Sequence, residues 1–228
     1  MYKKKQFKKS EAHYRKYQHA GMTGKAMDYC HKDLEKYFLL NNKFPKVLEI
    51  GAGTSPHINY IEHKYDKYYS LETSKFAIKF LKKKFKKKKI YPIYYNGSKI
   101  PFKKKFFDRI IISHVLEHIN DPEKFILQAF SKLKKNGILS ISLPTDPGLL
   151  WRIGRNYIKL SKGYKLLKIA DHEYEYMNAT EHINSIFNLV AIIDYHFKDF
   201  IVSKNYWPFK IEIADLNLFY NVNIKKIN

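Results

Sequence analysis

Glu49-Ile50-Gly51-Ala52-Gly53-Thr54-Ser55 places two glycines and an acid where a short apolar run, Val47 to Ile50, gives way to a turn. Glycines at such a turn let backbone N–H groups come close to a ligand. Glu72 lies about twenty residues further on, where a carboxylate can accept hydrogen bonds from both hydroxyls of a ribose. Together they point to an adenosine-containing cofactor. A dinucleotide would need the third glycine of a GxGxxG turn to pack its pyrophosphate over a helix start, and Pro56 stands there instead. Glu49 and Glu72 would also repel phosphates.

Other residues could take part in catalysis. His114 and His172 are candidate bases, since an imidazole titrates near neutral pH. Asp146 follows an apolar strand and would face the rim of the site, with a loop-capping turn as the plainer role. Asp171-His172-Glu173-Tyr174-Glu175-Tyr176 is an acidic, aromatic cluster in a basic chain that could hold a cation, hydrogen-bond a sugar, or be an exposed polar loop. Tyr14, Tyr17, Tyr174 and Tyr176 are candidate substrate contacts. Leu116-Glu117-His118 reads as structural, and Glu181-His182 as helix support. The single Cys30 has no Cys/His ligand spacing around it, which excludes structural zinc, and no metal site is expected.

The elements that must position these residues follow from periodicity. Apolar positions from Lys25 to Asn41 repeat at helical spacing, and Pro45 ends that segment. Strands are expected at Val47–Ile50, Tyr68–Leu71, Ile90–Tyr95, Phe107–Ser113 and Ile138–Leu143. Between them come a short helix to about residue 63, a helix over 74–85, and one from Asp121-Pro122 to about Lys134 that ends at Asn136-Gly137. Residues 145–178 read as an irregular roof with one helix over 149–160. Thr180 is expected to cap a helix running to His196, with strands at 199–203 and 217–224 to finish. Such alternation implies a doubly wound, Rossmann-like α/β sheet, mostly parallel, of seven strands with helices on both faces. Residues 1–44 form an N-terminal arm and helix, a lid, and residues 45–228 the main domain.

From Lys46 to Pro147 the chain resembles the class I S-adenosylmethionine-dependent methyltransferases, in particular small-molecule methyltransferases related to ubiquinone/menaquinone biosynthesis enzymes. Four segments carry the resemblance in order: Val47 to Gly53, Glu72, Asn96-Gly97-Ser98-Lys99-Ile100-Pro101-Phe102, and Phe107 to Ile119. The resemblance implies S-adenosylmethionine as cofactor, held by Glu49, Gly51, Ala52, Gly53, Glu72, Asn96, Gly97, Ser98 and Ser113. Asn96 replaces the family's usual Asp and offers an amide oxygen in its place. Methyl transfer displaces a sulfonium in line, so positioning carries much of the rate and a base is needed only where the nucleophile must lose a proton.

No Pro-Pro-aromatic motif follows the fourth strand, where Ser113-His114-Val115-Leu116 stands, and Cys30 precedes the fold. Both argue against methylation of nucleic acid bases. Asp146 to Trp151, Glu181 to Asn184 and Tyr206 to Phe209 look like methyltransferases of cell-surface polysaccharide pathways, which implies a small-molecule or lipid-linked acceptor such as a sugar hydroxyl. A phospholipid amine at a membrane, and a non-catalytic basic nucleic-acid-binding protein on the same fold, are the alternatives. The chain has 228 residues, with 43 basic against 21 acidic and a net charge of +22. Only Arg15, Arg109, Arg152 and Arg155 among the basic residues are arginines, the side chain best suited to phosphate recognition. Abundant Lys, Ile, Asn, Tyr and Phe also fit AT-rich coding. The run from Lys82 to Lys89 is the candidate for weak contact with an anionic membrane, on the sheet edge away from the cofactor. No apolar stretch approaches the roughly 20 residues of a membrane span, and the basic start lacks a signal-peptide core, so a cytoplasmic protein is expected, with a peripheral place at the membrane's inner face as the alternative.

Overall fold

A computed structural model describes residues 21–38, 40–86, 89–160 and 171–227. In chain order the elements are α1 (Gly21–Glu35), β1 (Lys46–Ile50), β2 (Lys67–Glu72), α2 (Lys75–Lys84), β3 (Ile90–Tyr94), β4 (Phe107–Ser113), α3 (Pro122–Lys132), β5 (Leu133–Pro144), α4 (Leu149–Leu160), α5 (Asp171–Glu181), α6 (Ile186–Phe197), β6 (Ile201–Trp207) and β7 (Phe219–Lys225). The strands form one sheet in the order β3-β2-β1-β4-β5-β7-β6. Strands β1 to β5 pair in parallel, and β7 enters antiparallel between β5 and β6. The Rossmann-like sheet expected from the alternation is therefore present.

Its central strands are apolar on both sides because helices cover both faces. Val47, Tyr68 and Ile111 pack with Leu34 of α1 and Leu81 of α2 on one face. On the other, Leu48, Ile50, Ile110 and Ile112 pack with Phe125 and Ile126 of α3 and Leu189 and Ile193 of α6. Side-chain caps start three helices: Ser74 accepts from Ala77 N at 3.2 Å, Asp121 from Lys124 N at 3.0 Å and Ser185 from Asn188 N at 3.2 Å.

Several boundaries differ from expectation, each for a local reason. Helix α1 stops at Glu35 rather than Asn41, because Phe38 N–H turns back to the Glu35 carbonyl (2.8 Å) and lays its ring 3.9 Å from the Arg109 guanidinium. The helix expected after the glycine turn is only a short 3-10 turn, His57–Tyr60. Helix α3 gives way to β5 at Leu133, since Lys134 pairs with Asp108 (2.7 Å) and Asn136, at φ +60°, bonds to Lys226 O (2.7 Å) as a bulge rather than a helix stop. Thr180 does not cap a helix: its hydroxyl donates to Tyr176 O inside α5, and Ser185 caps α6. The acidic, aromatic cluster is this helix α5 rather than a loop. Cys30 is not ahead of the fold, because α1 sets it against β5 and β7, with Sγ 2.9 Å from Ser142 Oγ.

Candidate functional site

The turn after β1 is built for close approach. Gly51 and Gly53 take φ values of +68° and +51°, and Gly51 N–H donates to Leu71 O at 2.8 Å. A Cβ on Gly51 would lie 2.3 Å from Val115 Cγ2, so this turn is pressed against the loop after β4. Behind it, buried Glu49 accepts from Ser55 Oγ (2.5 Å) and Tyr68 Oη (2.8 Å). Burial pushes the Glu49 carboxyl up, against the opposing pull of His57 and these two bonds. Glu49 thus braces the turn, with Ser55 held at φ +53°. Ser55 had no assigned role in the sequence, where its place suits a third glycine.

Glu72 at the end of β2 spends Oε1 on Thr73 N (2.7 Å), Thr73 Oγ1 (3.2 Å) and Ser74 N (2.8 Å), while among the described residues Oε2 accepts only Gly53 N (2.8 Å). Oε2 therefore keeps acceptor capacity for a ribose hydroxyl. Ser113 Oγ is buried at the end of β4 with no hydrogen-bond partner among the described residues. Asn96 Oδ1 accepts Ser98 N (3.1 Å) and Ser98 Oγ (2.8 Å) around Gly97 at φ +86°, so that oxygen is already committed to shaping its loop. The turn, the spare Glu72 oxygen and Ser113 fit a cofactor with an adenosine and no phosphates.

His114 follows β4 at φ +54°, with Nε2 3.6 Å from Cys30 Sγ and Nδ1 3.8 Å from Glu117 Oε1. Burial pushes its imidazole down to about 3, which favours the neutral ring at this position. Burial pushes the Cys30 thiol up to about 12, which favours its protonated form. Asp146, just after β5, accepts from His182 Nδ1 at 2.7 Å and Arg155 Nη1 at 3.3 Å. Burial alone would raise its carboxyl, but His182 and Arg155 outweigh that and hold it below the usual range. Asp146 therefore orients His182. His172 and Tyr176 are exposed on α5 and Tyr174 is buried, while Tyr14 and Tyr17 lie outside the described residues.

Two groupings went unread in the sequence. Glu35 grips Arg109 with two bonds of 2.6 Å and accepts from His57 Nε2 at 2.6 Å, and His57 Nδ1 in turn meets His31 Nδ1 at 2.9 Å. The second joins Glu117, His118 and His182 beyond β4 and β5. Beside it a cavity of about 430 Å³ is lined by Asp146, Arg155, Glu175, Asn178, His182 and Asn184 among others.

Residues 48–141 match the family described as Methyltransferase domain. The uncharacterized protein MJ1123 of Methanocaldococcus jannaschii is 31% identical over 118 residues, which span 52% of this chain and 54% of that protein. The chain thus matches about half the length of this curated relative. A SAM-dependent methyltransferase from Thermotoga maritima superposes with a TM-score of 0.61 at 17% identity, covering 97% of this chain and 99% of that one. The N-methyltransferase NodS from Bradyrhizobium japonicum, in complex with S-adenosyl-L-homocysteine, gives a TM-score of 0.60 at 13% identity, covering 88% and 87%. At these identities the likeness to solved structures is one of fold. Residues 48–141 thus match a methyltransferase domain, the whole chain shares the fold of these structures, and the turn geometry fits S-adenosylmethionine as cofactor.

Proposed function

We propose that this methyltransferase domain methylates a hydroxyl of a small polar acceptor, a sugar unit of a cell-surface polysaccharide precursor. The observation that carries the reading is the cavity of about 430 Å³ at the β5 end, in whose wall Asp146, Arg155, Glu175, Asn178 and Asn184 stand among the apolar surface of Pro147, Ala179 and Ile183. Such a wall suits a ligand with many hydroxyls, each paired as it loses water.

S-adenosylmethionine supplies a methyl group already activated on a sulfonium. The chain's own part is to hold and aim. The turn at Gly51 and Gly53 lets the backbone come close with no side chain between, Glu72 Oε2 takes a ribose hydroxyl, and Ser113 Oγ offers one more polar contact at the strand end. Arg155 and Asp146 form one wall of the acceptor cavity and fix His182. Holding two reactants in line is worth much of the barrier in displacement of this kind.

The deciding measurement is cofactor turnover with labelled methyl against sugar nucleotides and glycans, phospholipid amines, and tRNA. Label should enter a hydroxyl of the carbohydrate set. Label confined to amines or to tRNA, or no turnover in any set while the cofactor binds, overturns the reading.

A further inference from the structure

We propose that Glu117, His118 and His182 form a binding site for a divalent first-row transition-metal ion, beside the methyl-transfer site. One candidate ligand atom from each lies within 4.8 Å of the others. Ligand bonds of about 2.1 Å set donor atoms roughly 3–4 Å apart, so a closing movement of about an ångström completes the set.

The protonation pattern is the one metal-binding imidazoles need. The Glu181 carbonyl can only accept, so His118 Nδ1, 2.6 Å away, carries the proton and Nε2 keeps its lone pair. The Asp146 carboxylate fixes His182 in the same way, at 2.7 Å from Nδ1. Both rings are thus held from behind by an oxygen acceptor, with their other nitrogen free to ligate. Glu117 supplies the charge. It is only 2% exposed, and its Oε2 is buried without a hydrogen-bond partner among the described residues. An unpaired buried carboxylate oxygen is costly, and a cation would satisfy it.

The backbone makes the cluster rigid although its ligands are far apart in sequence. Ile183 N and Asn184 N both donate to Glu117 O, at 2.9 and 3.1 Å. Asn184 Nδ2 bonds Leu116 O (2.8 Å) and Ile119 O (2.6 Å). Two imidazoles and one carboxylate leave coordination positions open and suit zinc, cobalt, iron or manganese better than calcium. Glu117 lies two residues past Val115, which touches the Gly51 turn, and His182 lines the acceptor cavity.

The role of the ion rests on the hydroxyl-methylation reading. An acceptor hydroxyl bound at an open position loses its proton more readily. The proton goes to water, the oxygen forms a bond to the methyl carbon, the carbon–sulfur bond breaks, and the sulfonium becomes a thioether.

The test uses the full chain stripped of metal with a chelator. Cobalt(II) and zinc(II) binding is followed by calorimetry and by the visible absorption of cobalt, alongside S-adenosylhomocysteine affinity. The expected result is one equivalent bound, at least tenfold weaker in Glu117→Gln and in His182→Gln. Asp146→Asn, which touches no metal, should weaken it 10–100-fold. No stoichiometric binding to the unaltered chain, or binding unchanged in a Glu117→Gln/His182→Gln variant with native melting behaviour, overturns the site. Loss of S-adenosylhomocysteine binding in the unaltered chain would instead refute the methyltransferase reading, and leaves the metal measurement to stand by itself.

Discussion

Glu72 and Glu35 are both buried carboxylates near the sheet, and they fail in different ways when removed. Glu72 ties Gly53, Thr73 and Ser74 together and keeps one oxygen lobe open. Hydrogen bonds to a charged group are worth about 1.5–3 kcal/mol each, so Glu72→Ala should weaken S-adenosylhomocysteine at least tenfold by calorimetry. Unchanged affinity would mean the ribose lies elsewhere. Glu35 belongs to the core. Burial would raise its carboxyl, but the Arg109 and His57 charges prevail and keep it well below the usual carboxylate range. Arg109 is fully buried, bound by two bonds to Glu35 and by Nε to Ser140 Oγ at 3.0 Å. Glu35→Ala would strand that guanidinium and should cost about 3–5 kcal/mol in urea unfolding. Glu35→Leu combined with Arg109→Met removes both charges and should recover most of the loss. A double variant no better than the single one would show that the pair is not an isolated unit.

At the scale of elements, the segments joining helix, turn and strand decide what each side chain can do. Phe38 and Phe44 lie over the Arg109 guanidinium, and the His63 ring lies edgewise to Phe44 with centroids 4.8 Å apart. Burial, aided by the Arg109 charge, pushes the His63 imidazole down to about 4. An unfolded histidine titrates near 6.5, so the folded state holds fewer protons in between and loses stability as pH falls from 6.5 toward 4. The full loss is about 3 kcal/mol, the free energy of that displacement. His63→Phe should flatten this part of the curve in unfolding measurements at pH 7, 5.5 and 4.5, and an unaltered slope would assign the effect to another group. The sheet and the cofactor turn were legible beforehand because apolar runs and glycines act locally: Val47 to Ile50, Ile110 to Ile112 and Gly51 state their environment within a few residues. Arg109–Glu35 and Glu117–His118–His182 were not legible. Their partners are brought together by crossovers, and neither the one arginine inside an isoleucine strand nor the Leu-Glu-His run says what lies opposite. The Ser185 cap was missed for a simpler reason, since Thr180 offers the same chemistry a turn too early.

At the scale of the whole molecule, the net charge of +22 has to be reconciled with a site whose named polar residues are largely acidic. The lysine run begins in the last turn of α2, where cations also favour the helix C-terminus. It precedes β3, at the edge of the sheet where the parallel strands begin. The separation from the cofactor turn is incomplete, because Lys84 Nζ reaches Thr54 O at 3.3 Å, one residue past Gly53. Lys82, Lys83, Lys86 and Lys89 are exposed and free to meet an anionic surface together. No helix among the described residues is long and apolar enough to cross a membrane, so any contact would be made from outside the hydrocarbon. Each lysine near an anionic bilayer is worth about 1 kcal/mol, and the attraction is screened over about 8 Å at physiological salt. Vesicles containing phosphatidylglycerol should therefore bind the chain at low salt and release it as salt rises, whereas neutral vesicles should not bind. Changing those four lysines to glutamine, with Lys84 kept for its contact to the turn, should abolish most of the binding and leave cofactor affinity intact. Binding that survives the change at low salt would mean that the run is a solvated face and that the excess of lysine reflects codon usage rather than a partner.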